Sequence, residues 1–354
     1  MSIYIQSLSQ ISIQEPLCDT WFDNPIYYNE RYVEVIEPNY KQYINPMSSR
    51  RMGKILKRAV TTSLETLKKG KKGNEIDAII TATGLGCVEN TEKFLYSMLD
   101  NNETLLTPTY FIQSTHNTIS SQIALELKCN NYNSTYVHRG ISFDSALFDA
   151  YVQFILNKIN NALVGAHDEM TKDMFALYDK IGYWKQGDVN KEILKQSDSI
   201  GSFSGEIASC FFLSNEKNND SICSLDGMTI LHKPTNERFE ESLLSLLKEN
   251  DLNLYDIDAV VVGYSGDKEN DMVYTRLKSL FFEDTPFVWY KHLFGESFSM
   301  SAMGFYVGAT CFKNNKIPNH LLLDTEKEII NPKHIIIYNH FQNQEHSLIL
   351  LSKC

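Results

Sequence analysis

Two stretches far apart in the chain follow one pattern: Ile76-Asp77-Ala78-Ile79-Ile80 and Ile257-Asp258-Ala259-Val260-Val261. Each is a short apolar run of the kind a strand shows when both its faces are buried. Each runs on into glycine, at Gly84-Leu85-Gly86 and at Gly263 and Gly266. A match in order and residue type at two places points to an internal duplication. A second parallel follows. Val137 leads through Gly140 into a helical pattern over 143–162, and Phe287-Val288-Trp289-Tyr290 leads through Gly295 into a small-residue helix over 297–312. Strand–helix alternation in both halves predicts an α/β fold with mostly parallel strands. Its loop-to-helix junctions then fall at the carboxyl edges of strands, where ligand sites of such folds lie. The expected division is an N-terminal half over 1–170, a linking excursion over 171–200 and a C-terminal half over 201–354.

Further helices are predicted over about 50–69, from about Glu89 or Thr91, over 117–127 and over 237–248, with a strand or strand pair opening at Phe203. The chain has 354 residues, 43% hydrophobic and 22% charged, an ordinary globular composition. No apolar run is long enough for a membrane span, and the start Met1-Ser2-Ile3-Tyr4-Ile5-Gln6 has no secretory signal pattern, so a cytoplasmic protein is expected. Seven cysteines, odd in number and free of CxxC spacing, indicate neither a disulfide framework nor a zinc site, and no metal or cofactor is expected. A net charge of −11 argues against a nucleic-acid partner. It also repels an acidic protein partner unless a local patch docks it. Arg50, Arg51, Lys54, Lys57, Arg58, Lys68, Lys69, Lys71 and Lys72 form one such cluster in sequence.

Several segments carry a resemblance. These are Leu106-Thr107-Pro108, Ser114 to Ala124, Tyr136 to Leu147 with Ala146, Leu147 and Ala150, Thr83-Gly84-Leu85-Gly86, Val164 to Glu169, Gly266-Asp267 and Lys291…Gly295. Together they resemble the β-ketoacyl synthases, condensing enzymes of the thiolase fold, over about 47–351 with an unassigned stretch near 170–200. The resemblance implies two duplicated α/β halves layered α-β-α-β-α. It also implies a nucleophilic cysteine at a strand-to-helix junction, where a helix N-terminus favours the thiolate, and two imidazoles that stabilise the enolate and oxyanion.

None of the three groups is intact. The cysteine position is Gly140, which has no side chain to acylate. Ser142 and His138 flank it, but the turn between them works against a serine–histidine pair. The first imidazole motif is shortened to Val262-Gly263-Tyr264-Ser265-Gly266-Asp267, and no histidine occurs between His232 and His292. The second, Lys-Ser-x-x-Gly-His in the family, reads Lys291-His292-Leu293-Phe294-Gly295-Glu296. A carboxylate at Glu296 opposes the charge an imidazole would stabilise, and His292 replaces it only by a shift of register. The family's glycine-rich gating loop reads Asn339-His340-Phe341-Gln342-Asn343, keeping only the phenylalanine.

The resemblance therefore implies a ketosynthase homologue without condensing chemistry of its own, of the chain-length-factor type. Such a subunit pairs with an active ketosynthase in type II fatty acid, polyketide or aryl-polyene and flexirubin-type biosynthesis and shapes the acyl tunnel, with an acyl carrier protein as a further partner. Lys291, His292, Phe341, His138, Ser142 and Cys87 are the candidate pocket residues. Two alternatives stay open. One is an acyltransferase or thioesterase using Cys87, His116, His138 or Glu296. The other is a homodimeric acyl-binding scaffold.

Overall fold

The computed structural model describes residues 2–354 apart from residues 72 and 74, so Lys72 of the basic cluster lies outside the described residues. The strands are β1 (Ile3–Ile11), β2 (Ala78–Ala82), β3 (Tyr132–Tyr136), β4 (Asn161–Asp168), β5 (Ile207–Ser214), β6 (Cys223–His232), β7 (Ala259–Val262), β8 (Phe287–Trp289), β9 (Lys316–Ile317), β10 (Ile329–Ile330), β11 (His334–Phe341) and β12 (Glu345–Lys353). The first helices are α1 (Pro46–Ser49), α2 (Lys54–Lys69), α3 (Val88–Asp100), α4 (Pro108–Ser114), α5 (Thr118–Leu127) and α6 (Ser142–Ile155). They are followed by α7 (Lys172–Lys180), α8 (Lys191–Gln196), α9 (Asn236–Lys248), α10 (Lys268–Phe281), α11 (Lys291–Phe294) and α12 (Ser301–Lys313).

Apart from the small β9–β10 pair, the strands join in one 10-stranded ladder ordered β3-β2-β4-β5-β1-β6-β12-β11-β7-β8. Outward from its middle the two halves have the same order, β1-β5-β4-β2-β3 on one side and β6-β12-β11-β7-β8 on the other. Strand directions match as well: β2 is parallel to β3 and β4, and β7 is parallel to β8 and β11. Among the described residues the two sets of strands join in the ladder through Ile3–Ile5 of β1 and Cys223–Leu225 of β6. The duplication extends to single hydrogen bonds. Asp77 accepts the backbone N–H groups of Asn160 and Asn161 at the start of β4, and Asp258 accepts those of Lys333 and His334 at the start of β11.

The layering follows from which helices are apolar all round. Every residue of α12 from Ser301 to Phe312 is buried, the mark of a helix enclosed by sheets rather than laid on a surface. It packs on β7, β11 and β12 and reaches β5 and β6, while α6 packs on β2, β3 and β4 and reaches β6. These two helices touch each other and form the middle layer. The helices α2 and α5 cover the outer face of the first half, and α9 and α10 that of the second. This is the duplicated α-β-α-β-α arrangement expected.

Three sequence expectations need correction. The helix expected over 143–162 ends at Ile155, because Asn157 turns left-handed (φ 52°) and releases the chain into β4. Strand β5 belongs to the first five, so the repeat changes over between β5 and β6, well beyond the expected start of the second half at residue 201. The excursion over 171–200 is no loose connection. It carries α7 and α8, buries Trp184, and is clamped by Lys185, a lysine only 1% exposed. Its Nζ donates to Ser199 O (3.1 Å), Ser199 Oγ (2.8 Å) and Gly266 O (2.8 Å).

Candidate functional site

The carboxyl ends of β3, β7, β8 and β11 converge on a cavity of about 230 Å³ between the halves. It collects Gly140, Asp267, Lys291, Glu296 and Phe341 from four separate stretches of sequence. Gly140 sits in a 3-10 turn (Arg139–Ile141) between β3 and α6, the strand-to-helix junction expected for a nucleophile. Its neighbour Arg139 is left-handed (φ 48°), a conformation that strains a residue with a Cβ. The sharp elbow thus persists without the side chain it would present. Phe341 takes up the vacant space: a Cβ built on Gly140 would lie 2.2 Å from Phe341 Cδ2 and 2.8 Å from its Cβ. Asn339 holds the elbow from below, donating from Nδ2 to Gly140 O (3.2 Å). Beneath it the buried carboxyl of Asp144 accepts from Ser301 Oγ (2.7 Å) and Ser347 Oγ (2.5 Å), and burial pushes its pKa up against these bonds.

Where the second imidazole would stand, Glu296 Oε2 receives Lys291 Nζ at 2.6 Å, with side chains 12% and 9% exposed. Burial raises the Glu296 pKa and the adjacent ammonium opposes that rise. The backbone here is interlocked with the chain around Gly205. Gly295 (φ 72°) lies so close that a Cβ on it would meet Gly205 Cα at 2.8 Å; Glu296 N donates to Phe203 O (2.8 Å) and Gly205 N donates to Glu296 O (2.9 Å). Asp267 caps α10 by accepting from Glu269 N and Asn270 N at 3.0 Å, and it also accepts from Gly201 N. Its partner Gly266 (φ 85°) faces Leu194 and does not line the cavity. The Gly266-Asp267 remnant therefore fastens the excursion to the second half. Behind it, Asp271 accepts from Ser265 N, Gly266 N and Ser197 Oγ, and burial lifts its pKa to about 7.

The other candidates lie elsewhere. His292 is stacked on Trp289 at 3.8 Å and its Nε2 faces His320 O, away from the cavity; burial holds it neutral. His138 is exposed, its Nδ1 facing Ser145 Oγ rather than Ser142. Ser142 Oγ accepts from His138 N (2.7 Å) and lies against Thr83 O and Arg139 O, so it closes the turn and is no nucleophile. Cys87 is fully buried ahead of α3, where burial drives its thiol pKa far up and Glu169 adds to the effect. Such burial works against a reactive thiolate at this position. The basic cluster disperses too. Arg58 is buried between Glu37 and Glu206, and Lys68 and Lys71 pair with Glu65 and Asp220, leaving Arg50, Arg51 and Lys54 exposed.

Sequence reasoning missed Tyr183, Tyr274, Ser297 and His340, all of which line the cavity. His340 was one residue from Phe341 and is the only imidazole among the described lining residues. It accepts from Asn343 N at Nδ1 and faces Asn270 O at Nε2, and burial pushes its pKa down to about 3. Both ring nitrogens are engaged, so it has no free N–H to offer an enolate. Restoring the nucleophile alone should also fail. Gly140→Cys is expected to cost about 1–3 kcal/mol through overpacking against Phe341 and to give no acyl-enzyme by mass spectrometry with acyl thioesters. An acylated, undestabilised variant would contradict the crowding described.

Residues 21–187 match the family model of the beta-ketoacyl synthase N-terminal domain. Among curated proteins none matches the sequence. Solved structures are similar over the whole chain. The ishigamide ketosynthase/chain length factor has a TM-score of 0.85 at 16% identity, covering 100% of this chain and 99% of that one. A ketosynthase (ApeO) in complex with its chain length factor (ApeC) from Xenorhabdus doucetiae gives 0.80 at 13%, covering 100% and 98%. The AntDE:AntF complex, a type II acyl-carrier protein with its ketosynthase bound to the hexaketide, gives 0.81 at 11%, covering 100% and 99%. The N-terminal segment is therefore similar to the beta-ketoacyl synthase N-terminal domain, and the whole chain shares the thiolase-like fold of these solved structures.

Proposed function

We propose that the chain is a non-catalytic ketosynthase homologue that pairs with an active ketosynthase, as chain length factors do, and shapes the acyl tunnel of the pair. One observation carries this reading: the nucleophile's elbow is preserved, yet its vacant position is filled by Phe341. A thiolate cannot be presented there, and neither Glu296 nor His340 supplies a free imidazole. What the fold retains is the means to associate. Strand β3 is one of the two edges of the sheet, and the elements around it expose Leu95, Leu99, Phe111, Ile112, Leu125 and Val137. An apolar surface of this kind beside an unpaired strand edge favours burial against another chain. A carrier protein is a further partner of the pair, docking where exposed Arg50, Arg51 and Lys54 offset the acidic surface.

The test is co-expression with the ketosynthase encoded nearest to it. A one-to-one complex is expected, whose condensing activity is lost when this subunit is left out. A stable homodimer that ignores the ketosynthase would replace this reading with a self-associating scaffold. Condensation by the isolated chain would overturn it outright.

A further inference from the structure

A separate cavity of about 110 Å³ lies on the outer face of the second half, between α9 and α10 and against β11 and β12. Its walls are apolar: Phe239 comes from α9, and Val273, Leu277, Leu280 and Phe281 from α10. The sheet contributes two buried polar groups, Tyr338 and His346, which are spent on each other, Tyr338 Oη lying 2.8 Å from His346 Nδ1. An apolar guest therefore leaves that pair intact. The lining holds one cation, Arg276, and no carboxylate. Burial lowers the pKa of His346, so its ring adds no charge at neutral pH. Arg276 is exposed and has no ion-pair partner among the described residues. Its neighbours one turn away on α10 are Met272, Val273, Ser279 and Leu280, none of them an acid. In a chain of net charge −11, a guanidinium left unpaired among exposed apolar side chains complements an anion that carries a hydrocarbon tail.

We infer that this outer cavity binds a free short-chain monocarboxylate, its tail between α9 and α10 and its carboxylate on the Arg276 guanidinium. The volume sets the length of the tail. An apolar cavity of about 150 Å³ holds benzene, with six carbons, so this one holds a tail of about four, as in pentanoate. The site is distinct from the cavity between the halves, where Asp267, Glu269 and Glu296 repel a free carboxylate. The two share a wall: Tyr338 lines the outer cavity and Tyr274 the central one, with ring centroids 5.5 Å apart. The inference goes beyond the pairing role and does not rest on it.

The experiment titrates straight-chain carboxylates, from acetate to heptanoate, into the isolated full-length chain and follows the methyl resonances of Val273, Leu277 and Leu280. Affinity is expected to rise about fourfold with each methylene up to pentanoate and to level off beyond it, once the cavity is full. 1-Pentanol, which has no charge, should bind about threefold to fivefold more weakly than pentanoate. Arg276→Met, which keeps the apolar stem, should remove that preference and leave binding of the alcohol unchanged. Methyl shifts that do not saturate, affinity that climbs steadily past pentanoate, equal binding of pentanol and pentanoate, or a preference that survives Arg276→Met would each overturn the proposal. Were the variant to misfold, the chain-length series and the alcohol comparison on the unaltered protein would still decide. None of these outcomes involves a ketosynthase, so failure here is separable from failure to pair.

Discussion

Asp168→Ala should lower the stability of the protein by about 3–5 kcal/mol, measured as a shift in the denaturant midpoint. The carboxyl of Asp168 is buried at the end of β4 and accepts from both halves. Oδ1 takes Thr83 Oγ1 (2.9 Å), Gly84 N (2.8 Å) and Leu85 N (3.4 Å), and Oδ2 takes Ser299 N (2.7 Å) and Ser299 Oγ (2.5 Å). Alanine leaves these donors facing an apolar void, each orphan costing about 1–3 kcal/mol before any water enters. Asn is no remedy. It accepts on one oxygen only and would turn its amide N–H bonds toward donors, so Asp168→Asn should lose nearly as much. A loss below about 1 kcal/mol for both variants would mean that the two halves are held together elsewhere.

Breaking the ion pair beside the cavity should have an effect of similar size. Glu296→Leu leaves the Lys291 ammonium almost enclosed and without its partner, a situation that costs about 3–5 kcal/mol. The double variant Lys291→Met/Glu296→Leu removes both charges and should recover most of that loss, because desolvating the pair offsets much of its attraction. The double-mutant cycle measures the coupling directly. If the double variant were as unstable as the single one, the backbone interlock at Gly205 and Gly295, not the ion pair, would be the stabilising element.

The apolar runs that announced the duplication do occupy equivalent places, β2 and β7, because strands buried on both faces leave an unbroken hydrophobic signature. Strand β1 left none, although it lies at the centre of the ladder. Its residues Gln6, Ser7, Ser9 and Gln10 are buried but polar, and Ser7, for example, spends its hydroxyl on Thr66 O. The candidate site was legible where a motif survived in recognisable order, which brought Gly140, Asp267, Lys291, Glu296 and Phe341 to one cavity. His292 and Cys87 were misplaced because position in sequence does not give the direction of a side chain: the first turned to stack on Trp289 and the second into the core. Tyr183 and Tyr274 came from the excursion and from the middle of α10, neither of which carries a motif.

The ring of Phe341 lying over Gly140 also governs which mutational steps are open to this chain. A one-residue change of Gly140 to cysteine enters occupied space and is penalised before any reactivity can be tested, whereas shrinking Phe341 first opens a gap with nothing to fill it. Each order of events passes through a less stable intermediate, so the two positions are epistatic, and a side chain at residue 140 requires both to change together.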